Sequence, residues 1–450
     1  MRRSEHIEAI LQTLATGPAS AQDLLRAHQM SQPVLSRVLS TLRHDGRVIR
    51  FGTTRGARYG LARSIGRVGS HWPLYQIDDQ GAAAEIGRLH AIERFEYYVA
   101  GGPQRLRALV TRIPYVLQDA RPGGFLGRAI PHQHPELDLP GRIRDWSDDH
   151  FLFYLTQRAP DNTGDLILGE ASLNLYLAHV KRPECVRPEQ RATQYPRFAA
   201  AAMAGDPPGS SAQGEQPKFL ARLDEGDRQT HVLVKFSPPH ESETGRRWAD
   251  LLRCEHWAHQ LLASAGVAAC KSQWFSFADR TFLEVERFDR IGAEGRRGTA
   301  SLLAVDLARY GNLDRWSECA RRLHADRLLS QHDVQQIELL ESFGLMIANT
   351  DRHFGNVTLF DHYAGPFELA PVYDMLPMLF APHHEQILDR RFEPPTPTAA
   401  LLREWPRARE LAERYWDRLA TDALISAPFR EICAQAFEAL HRSPAVRTHR

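Results

Sequence analysis

Paired cysteines, long apolar runs and net charge are what this chain has least of. Its five cysteines, Cys185, Cys254, Cys270, Cys319 and Cys433, are odd in number and far apart, without the CxxC spacing of a zinc site. They read as reduced, buried thiols. No apolar run reaches the ~18 residues that span a bilayer. The start, Met1-Arg2-Arg3-Ser4-Glu5-His6, leads into a mixed pattern without the apolar core of a signal peptide. The expectation is a cytoplasmic protein with no membrane partner. Fifty-six basic residues nearly cancel fifty-five acidic ones, so affinity for nucleic acid has to come from a local patch. No repeat of fixed period appears.

What is present is an ordinary globular balance, 43% hydrophobic and 25% charged over 450 residues. That length exceeds one compact core and suggests about two or three domains.

Residues 1–65 read as a unit of their own. Ile7, Ile10, Leu11 and Leu14 recur at helical spacing until Gly17-Pro18, and Ser20 is placed to cap a short helix through Leu24 and Leu25. A third helix starts at Ser31 with Pro33 in its first turn, and Asp45-Gly46 ends it. Val48–Phe51 and Ala57–Leu61 then read as a hairpin. Three helices and a hairpin are the order of a winged helix-turn-helix, whose third helix enters the major groove. The segment holds ten arginines, no lysine and four acids, a net of +6. Ser36, Arg37, Ser40 and Arg43 fall on the outer side of the third helix, and Arg50, Arg55 and Arg58 line the wing, as phosphate contacts to DNA require. The same arginines would also suit a protein-docking face.

Residues 66–200 mix aromatic and apolar segments with Pro and Gly and read as a small α+β subdomain. Beyond them the residues that carry chemistry appear in order. Gly209–Lys218 packs small residues ahead of a strand, so that backbone amides approach phosphate oxygens and Lys218 adds charge, although surface linkers share this composition. His231–Phe236 is an alternating strand carrying Lys235 among apolar residues. An ammonium there needs a partner, and Glu255, on a helix from about 244 to 263, offers one. Glu286, Arg287 and Phe288 follow a strand as a hinge between two lobes does, or as a solvated edge strand. Asp351, five residues before Asn356 and with Asp374 beyond, completes the oxygen-rich set that phosphoryl transfer needs around magnesium. Asp351 would direct an acceptor hydroxyl, Asn356 and Asp374 would hold the metal, and His353 would position Asp351 or touch the nucleotide.

These strings, with Ser211, Gly214-Glu215-Gln216-Pro217-Lys218, Val285–Arg290, Asn349–Asn356 and Pro371–Asp374, resemble the HipA-like serine/threonine kinases, toxin components of bacterial toxin–antitoxin modules, over about residues 85–440. The resemblance implies ATP and Mg2+ as cofactors and a protein serine or threonine as acceptor. It implies Asp351 and Lys235 as catalytic residues. It implies nucleotide contacts from Gln213, Gly214, Glu215, Gln216, Pro217, Lys218, Glu255, Glu286, Arg287, Phe288, His353, Asn356, Tyr373 and Asp374. It makes Ser211 a site of autophosphorylation, and growth arrest through a translation component the biological effect. Two departures stand out. A winged helix is fused to the chain, as in the long single-chain subgroup, where family members commonly rely on a separate antitoxin partner. The loop reads Gln213-Gly214-Glu215-Gln216 where the family often has Ala-Gly-Ala-Gln.

The expected fold class is α+β: a winged helix-turn-helix (1–65), an α+β subdomain (66–200), a nucleotide-binding lobe (201–292) and a mainly helical lobe (293–450). Rival readings are a transcription regulator whose kinase-like body only senses nucleotide, and a metal-dependent toxin acting on DNA.

Overall fold

Small and polar residues stop each helix of the first sixty residues. In the computed structural model, which describes residues 3–52, 56–180, 185–205, 216–383 and 386–444, helix α1 (Arg3–Ala15) ends before Gly17 at φ 140°. The short strand β1 (Ala19–Ser20) leads into α2 (Ala21–His28). Ser20 Oγ accepts from the Asp23 amide while the Asp23 carboxylate accepts from the Ser20 amide, a reciprocal cap. Helix α3 (Gln32–His44) turns Leu35, Val38, Leu39 and Leu42 onto Ile10, Leu14 and Leu24. Strands β2 (Val48–Phe51) and β3 (Arg58–Leu61) pair antiparallel, in the order β1-β3-β2. Ser36, Arg37, Ser40, Arg43, Arg50 and Arg58 are all exposed, but the Arg58 guanidinium is tied down by donating to the Pro18 carbonyl at 2.6 Å. Arg55 lies outside the described residues.

The next unit is an antiparallel sheet, ordered β7-β6-β5-β4-β8, of β4 (His71–Ile77), β5 (Ala83–Ile92), β6 (Glu96–Ala100), β7 (Leu109–Val110) and β8 (Leu166–Leu168). Three one-turn helices, α4 (Tyr115–Gln118), α5 (Gly124–Gly127) and α6 (Ile130–Gln133), and the longer α7 (Asp148–Arg158) and α8 (Glu170–Val180) pack around it. Phe151, Leu152, Tyr154 and Leu155 of α7 share one core with Trp72, Leu74, Leu89 and Tyr97 of the sheet. Helix α9 (Arg191–Met203) instead lays Tyr195, Ala199 and Ala202 on the sheet that follows, so a boundary at 200 cuts through a helix that packs forward.

That following sheet, in the order β11-β12-β10-β9, comprises β9 (Lys218–Asp224), β10 (Gln229–Phe236), β11 (Ser272–Phe277) and β12 (Arg280–Glu286). Phe219, Phe236 and Phe282 are buried beneath α9; each contributes roughly 1.5–3 kcal/mol by leaving water. Helix α10 (Glu243–Ser264), capped by Ser242, crosses the other side. A hairpin, β13 (Arg290–Ile291) and β14 (Gly295–Arg296), leads into a mainly helical unit. This unit contains β15 (Thr299–Ser301), α11 (Leu302–Arg309), α12 (Trp316–Ala325), α13 (Gln331–Met346), β16 (Thr358–Phe360), β17 (Glu368–Leu369), α14 (Trp405–Thr421) and α15 (Ala427–Arg442). Its core is built on Phe343, Trp405, Tyr415, Trp416 and Phe429. Between sheet and helices runs a cleft edged by the loops 349–357 and 370–375. Among the described residues no helix is long and apolar enough to cross a membrane. The five thiols are unpaired, and Cys185 is half-buried where the other four are buried.

Candidate active site

The alternation of β10 puts Leu233 and Lys235 on one face, and the register with β9 sets Lys218 directly opposite Lys235. The chain has only four lysines, at 181, 218, 235 and 271, and two of them form this buried cross-strand pair lining the cleft. Two ammonium groups side by side repel, so the arrangement persists only beside anions. Glu255 is one: fully buried in the middle of α10, it receives Lys235 Nζ on both carboxylate oxygens, at 2.6 and 2.7 Å. Asp374 is the other, and its Oδ1 touches the same Nζ. Burial raises the Glu255 carboxyl against the pull of Lys235. Burial also pushes Asp374 up, but Lys235 and Lys218 outweigh it and hold Asp374 below the usual carboxylate range. The Lys235 ammonium, desolvated but flanked by Asp374 and Glu255, is held above its ordinary value.

The two acidic loops are laced together by Asn349. Its Nδ2 donates to the Asp374 carbonyl at 3.1 Å and its Oδ1 accepts from the Asp351 amide at 3.0 Å. Asn356 Nδ2 donates to the Asp351 carbonyl at 2.7 Å, which leaves its Oδ1 as the acceptor at a cleft-lining position. Asp374 holds a left-handed backbone, φ 55°, and its amide points to Glu255 Oε1 at 3.3 Å. Tyr373 donates to the Gly355 carbonyl and meets Thr358 Oγ1, both at 2.7 Å. The His353 Nδ1 accepts from the Gly355 amide at 3.1 Å, so this ring caps a turn while it lines the cleft.

Lys218, Lys235, Glu255, Glu286, Arg287, Phe288, His353, Asn356, Tyr373 and Asp374 therefore share one cleft. Asp351 is exposed outside its lining. Although the residue is exposed, partial desolvation raises its carboxyl, opposed by His353 and reinforced by Asp374, so it still stands within the field of the cleft. Gln216 and Pro217 are not part of the lining. Pro217 gives its carbonyl to the Phe236 amide, and Gln216 keeps a buried Nε2 with no partner among the described residues. Ser211, Gln213, Gly214 and Glu215 lie outside the described residues.

Two details narrow the hinge reading. The Glu286 amide already donates to Lys271 O at 2.9 Å and is not available to a base. The Arg287 side chain turns away into ion pairs with Asp289 at 2.9 Å and Asp161 at 3.4 Å, because a buried guanidinium must find carboxylates. Sequence reading also missed Asn349 as a brace and Asp119 as a wall of the cleft. Asp119, from the middle unit, accepts from the Ser301 amide and hydroxyl at 2.5 and 2.6 Å. Asn349 stood inside a conspicuous string, whereas nothing local to Asp119 marks it.

Comparison with known proteins gives the family. The profile of the YjjJ-like toxin middle domain matches residues 68–177, and that of the HipA-like C-terminal domain matches residues 210–442. The chain is 34% identical over 432 residues to Toxin YjjJ of Escherichia coli K12, covering 95% of this chain and 96% of that protein. Among solved structures, Shewanella oneidensis MR-1 HipA, determined with HipB and its operator DNA, aligns with a TM-score of 0.50 at 14% identity, over 82% of this chain and 97% of that one. That likeness is one of fold. The Helicobacter pylori proinflammatory kinase CtkA aligns at a TM-score of 0.34 and 12% identity over 49% of this chain and 92% of its own, too slight a likeness to argue from. On the sequence match along nearly its whole length, the chain belongs to the family of HipA-like toxins, beside the YjjJ-like proteins.

Proposed function

We propose that the chain is a HipA-type toxin acting as an ATP-dependent serine/threonine protein kinase, with DNA binding through an N-terminal winged helix. The observation that carries the kinase reading is the convergence of Lys218, Lys235, Glu255, Asn356 and Asp374 on one cleft between sheet and helices. In this reading residues 1–65 form the DNA-binding unit, 66–200 without α9 the family's middle subdomain, α9 together with 201–292 the nucleotide lobe and 293–450 the helical lobe.

The donor set fits a magnesium nucleotide. Asn356 Oδ1 and the Asp374 carboxylate are hard oxygen ligands, and the lysine pair is a place for phosphate oxygens. Bound there, Mg-ATP supplies the phosphoryl group and the charge that screens its oxygens. The protein's own part is positional. Lys235, held by Glu255, is fixed where phosphates lie and takes no part in proton transfer, since its ammonium is held above its ordinary value. Asp351, exposed but with its carboxyl raised by partial desolvation and by Asp374, is a better proton acceptor than an unperturbed aspartate and stands where a protein hydroxyl approaches from solvent. Of the hinge amides, Phe288 remains for the base, since those of Glu286 and Arg287 bond to Lys271 and His231. Ser211 and the loop Gln213–Glu215 keep their place in the proposal as the autophosphorylated, phosphate-facing segment. A separate antitoxin is a further partner implied by the family.

The test is incubation of the full chain with γ-labelled ATP and magnesium, alone and with lysate proteins. Label on serine or threonine of the chain or of a lysate protein is the expected result. Nucleotide binding without transfer would replace this reading by a nucleotide sensor.

For the winged helix, Arg37 and Arg43 are exposed on α3 beside Ser36 and Ser40. Arg43→Ala is expected to weaken DNA binding across sequences and to lower the slope of log affinity against log salt by roughly one. Fluorescence anisotropy at several salt concentrations measures it, and an unchanged slope removes α3 from the interface.

A further inference from the structure

The sheet that carries the lysine pair carries a second basic pair four residues further along β9. Arg222 faces His231 across β9 and β10 in the same register, and so on the same face as Lys218 and Lys235. Four residues of strand place it roughly 13 Å away. It opens on a different cavity, of about 1130 Å³, between this sheet, α9 and the middle unit.

Among the described residues the charge in that wall does not balance. Arg222, Arg287, Arg290 and Arg296 line it, and the carboxylates meeting them among the described residues are Asp161 and Asp289. Arg287 and Arg290 take the short contacts, leaving Arg296 4.0 Å from Asp161. Among the described residues Arg222 bonds to neutral groups, His231, the Ala293 carbonyl and the Cys185 thiol. Arg158 at the cavity wall is neutralised by Glu136 at 2.8 Å, and Arg197 and Glu294 carry opposite charges and cancel. Four guanidiniums against two carboxylates leave about two positive charges, the complement of a phosphate dianion.

The hydrogen bonding is short in the same place. Arg222 is 7% exposed and Arg296 5%, and the Nη1 of each is buried with no partner among the described residues. An orphaned guanidinium N–H away from water is costly, and it recurs here in two neighbouring side chains. Burial and the nearby Arg290 both disfavour the charged form of Arg296, which an anion would restore. Tyr176, whose ring lies 4.6 Å under the Arg296 guanidinium, fixes that side chain against the cavity wall.

We propose that this cavity is a binding site for a small phosphate-bearing anion, gripped by Arg222 and Arg296 and separate from the cleft at Lys235. The site shares Arg287 with the cleft wall, so its occupant sits directly behind the hinge.

The test is calorimetric titration of the full chain with inorganic phosphate, pyrophosphate and glucose 6-phosphate, without nucleotide or magnesium. A doubly substituted chain, Arg222→Gln with Arg296→Gln, is expected to bind the best of these at least tenfold more weakly than wild type. Lys235→Met combined with Glu255→Leu, which removes both partners of the buried pair and alters only the cleft, is expected to keep that binding, so failure of the kinase reading would not remove it. Preference for pyrophosphate or phosphate over the sugar ester identifies a free inorganic ligand, and the reverse identifies a phosphate ester. Should the double substitution disturb folding by circular dichroism, Arg296→Lys serves instead. It keeps the charge but loses the two-pronged donor and is expected to weaken binding severalfold. Equal titration of wild type and either folded variant, or binding of none of the three probes, overturns the proposal.

Discussion

Asp374→Asn is expected to leave a folded protein whose phosphoryl transfer falls by about a thousandfold, the scale of removing a preorganised charge from an active site. The fold should survive because asparagine is nearly isosteric and Lys235 keeps both oxygens of Glu255, at 2.6 and 2.7 Å. The chemistry should not, because the asparagine has no charge with which to hold a divalent ion opposite Asn356. Asp374 stays below the usual carboxylate range, whereas Asp351 is raised. The acid limb of the wild-type rate therefore reports Asp351: activity is lost on acidification through a value above that of an ordinary aspartate, while Asp374 is still ionised. Steady-state transfer measured with labelled ATP, alongside a urea melt, separates the two outcomes. A tenfold loss or less would mean that Asp374 is only a structural partner of Lys235.

Much of this site follows from local pattern. The span of α10, expected at 244–263 and observed at Glu243–Ser264, and the strand ending in Lys235 rest on periodicity and burial, which a short window of sequence carries. The scarcity of lysine was a further signal, since two of four in the chain stand opposite each other at 218 and 235. What local pattern could not show is contact between distant segments. Asp119 reaches the Ser301 amide across 182 positions, and Asp161 draws Arg290 across 129. An aspartate followed by Ala-Arg-Pro-Gly-Gly reads as a turn, and its burial exists only once the middle unit is docked. The partner of the Glu286 amide was hidden for the same reason. An exit from a strand looks free in sequence until Lys271, brought alongside by the neighbouring strand, accepts its hydrogen.

Lys235→Met is expected to lower stability by about 3–5 kcal/mol, as well as to abolish transfer, because it leaves a buried anion without its cation. The exposure of Lys235 is 4% and that of Glu255 is 0%, so solvent cannot take over the lysine's role. The residual carboxylate should respond by taking a proton. Burial already raises the Glu255 carboxyl, and Lys235 is the main group pulling it down. Without that pull its value in the folded state lies further above its unfolded value, so the folded state binds more protons than the unfolded state across that interval. Stability must then fall as pH rises through it, and the variant should be firmer near pH 5 than near pH 7. Adding Glu255→Leu to Lys235→Met removes the stranded carboxylate and should recover most of the lost stability, since replacing both partners of a buried pair is far milder than removing one. It should recover none of the transfer. Urea unfolding at the two pH values, with the labelled-ATP assay run on the same samples, completes this cycle. If the double variant is no more stable than Lys235→Met, the loss came from the packing of the lysine stem, and the buried ion pair is not what holds α10 against β10.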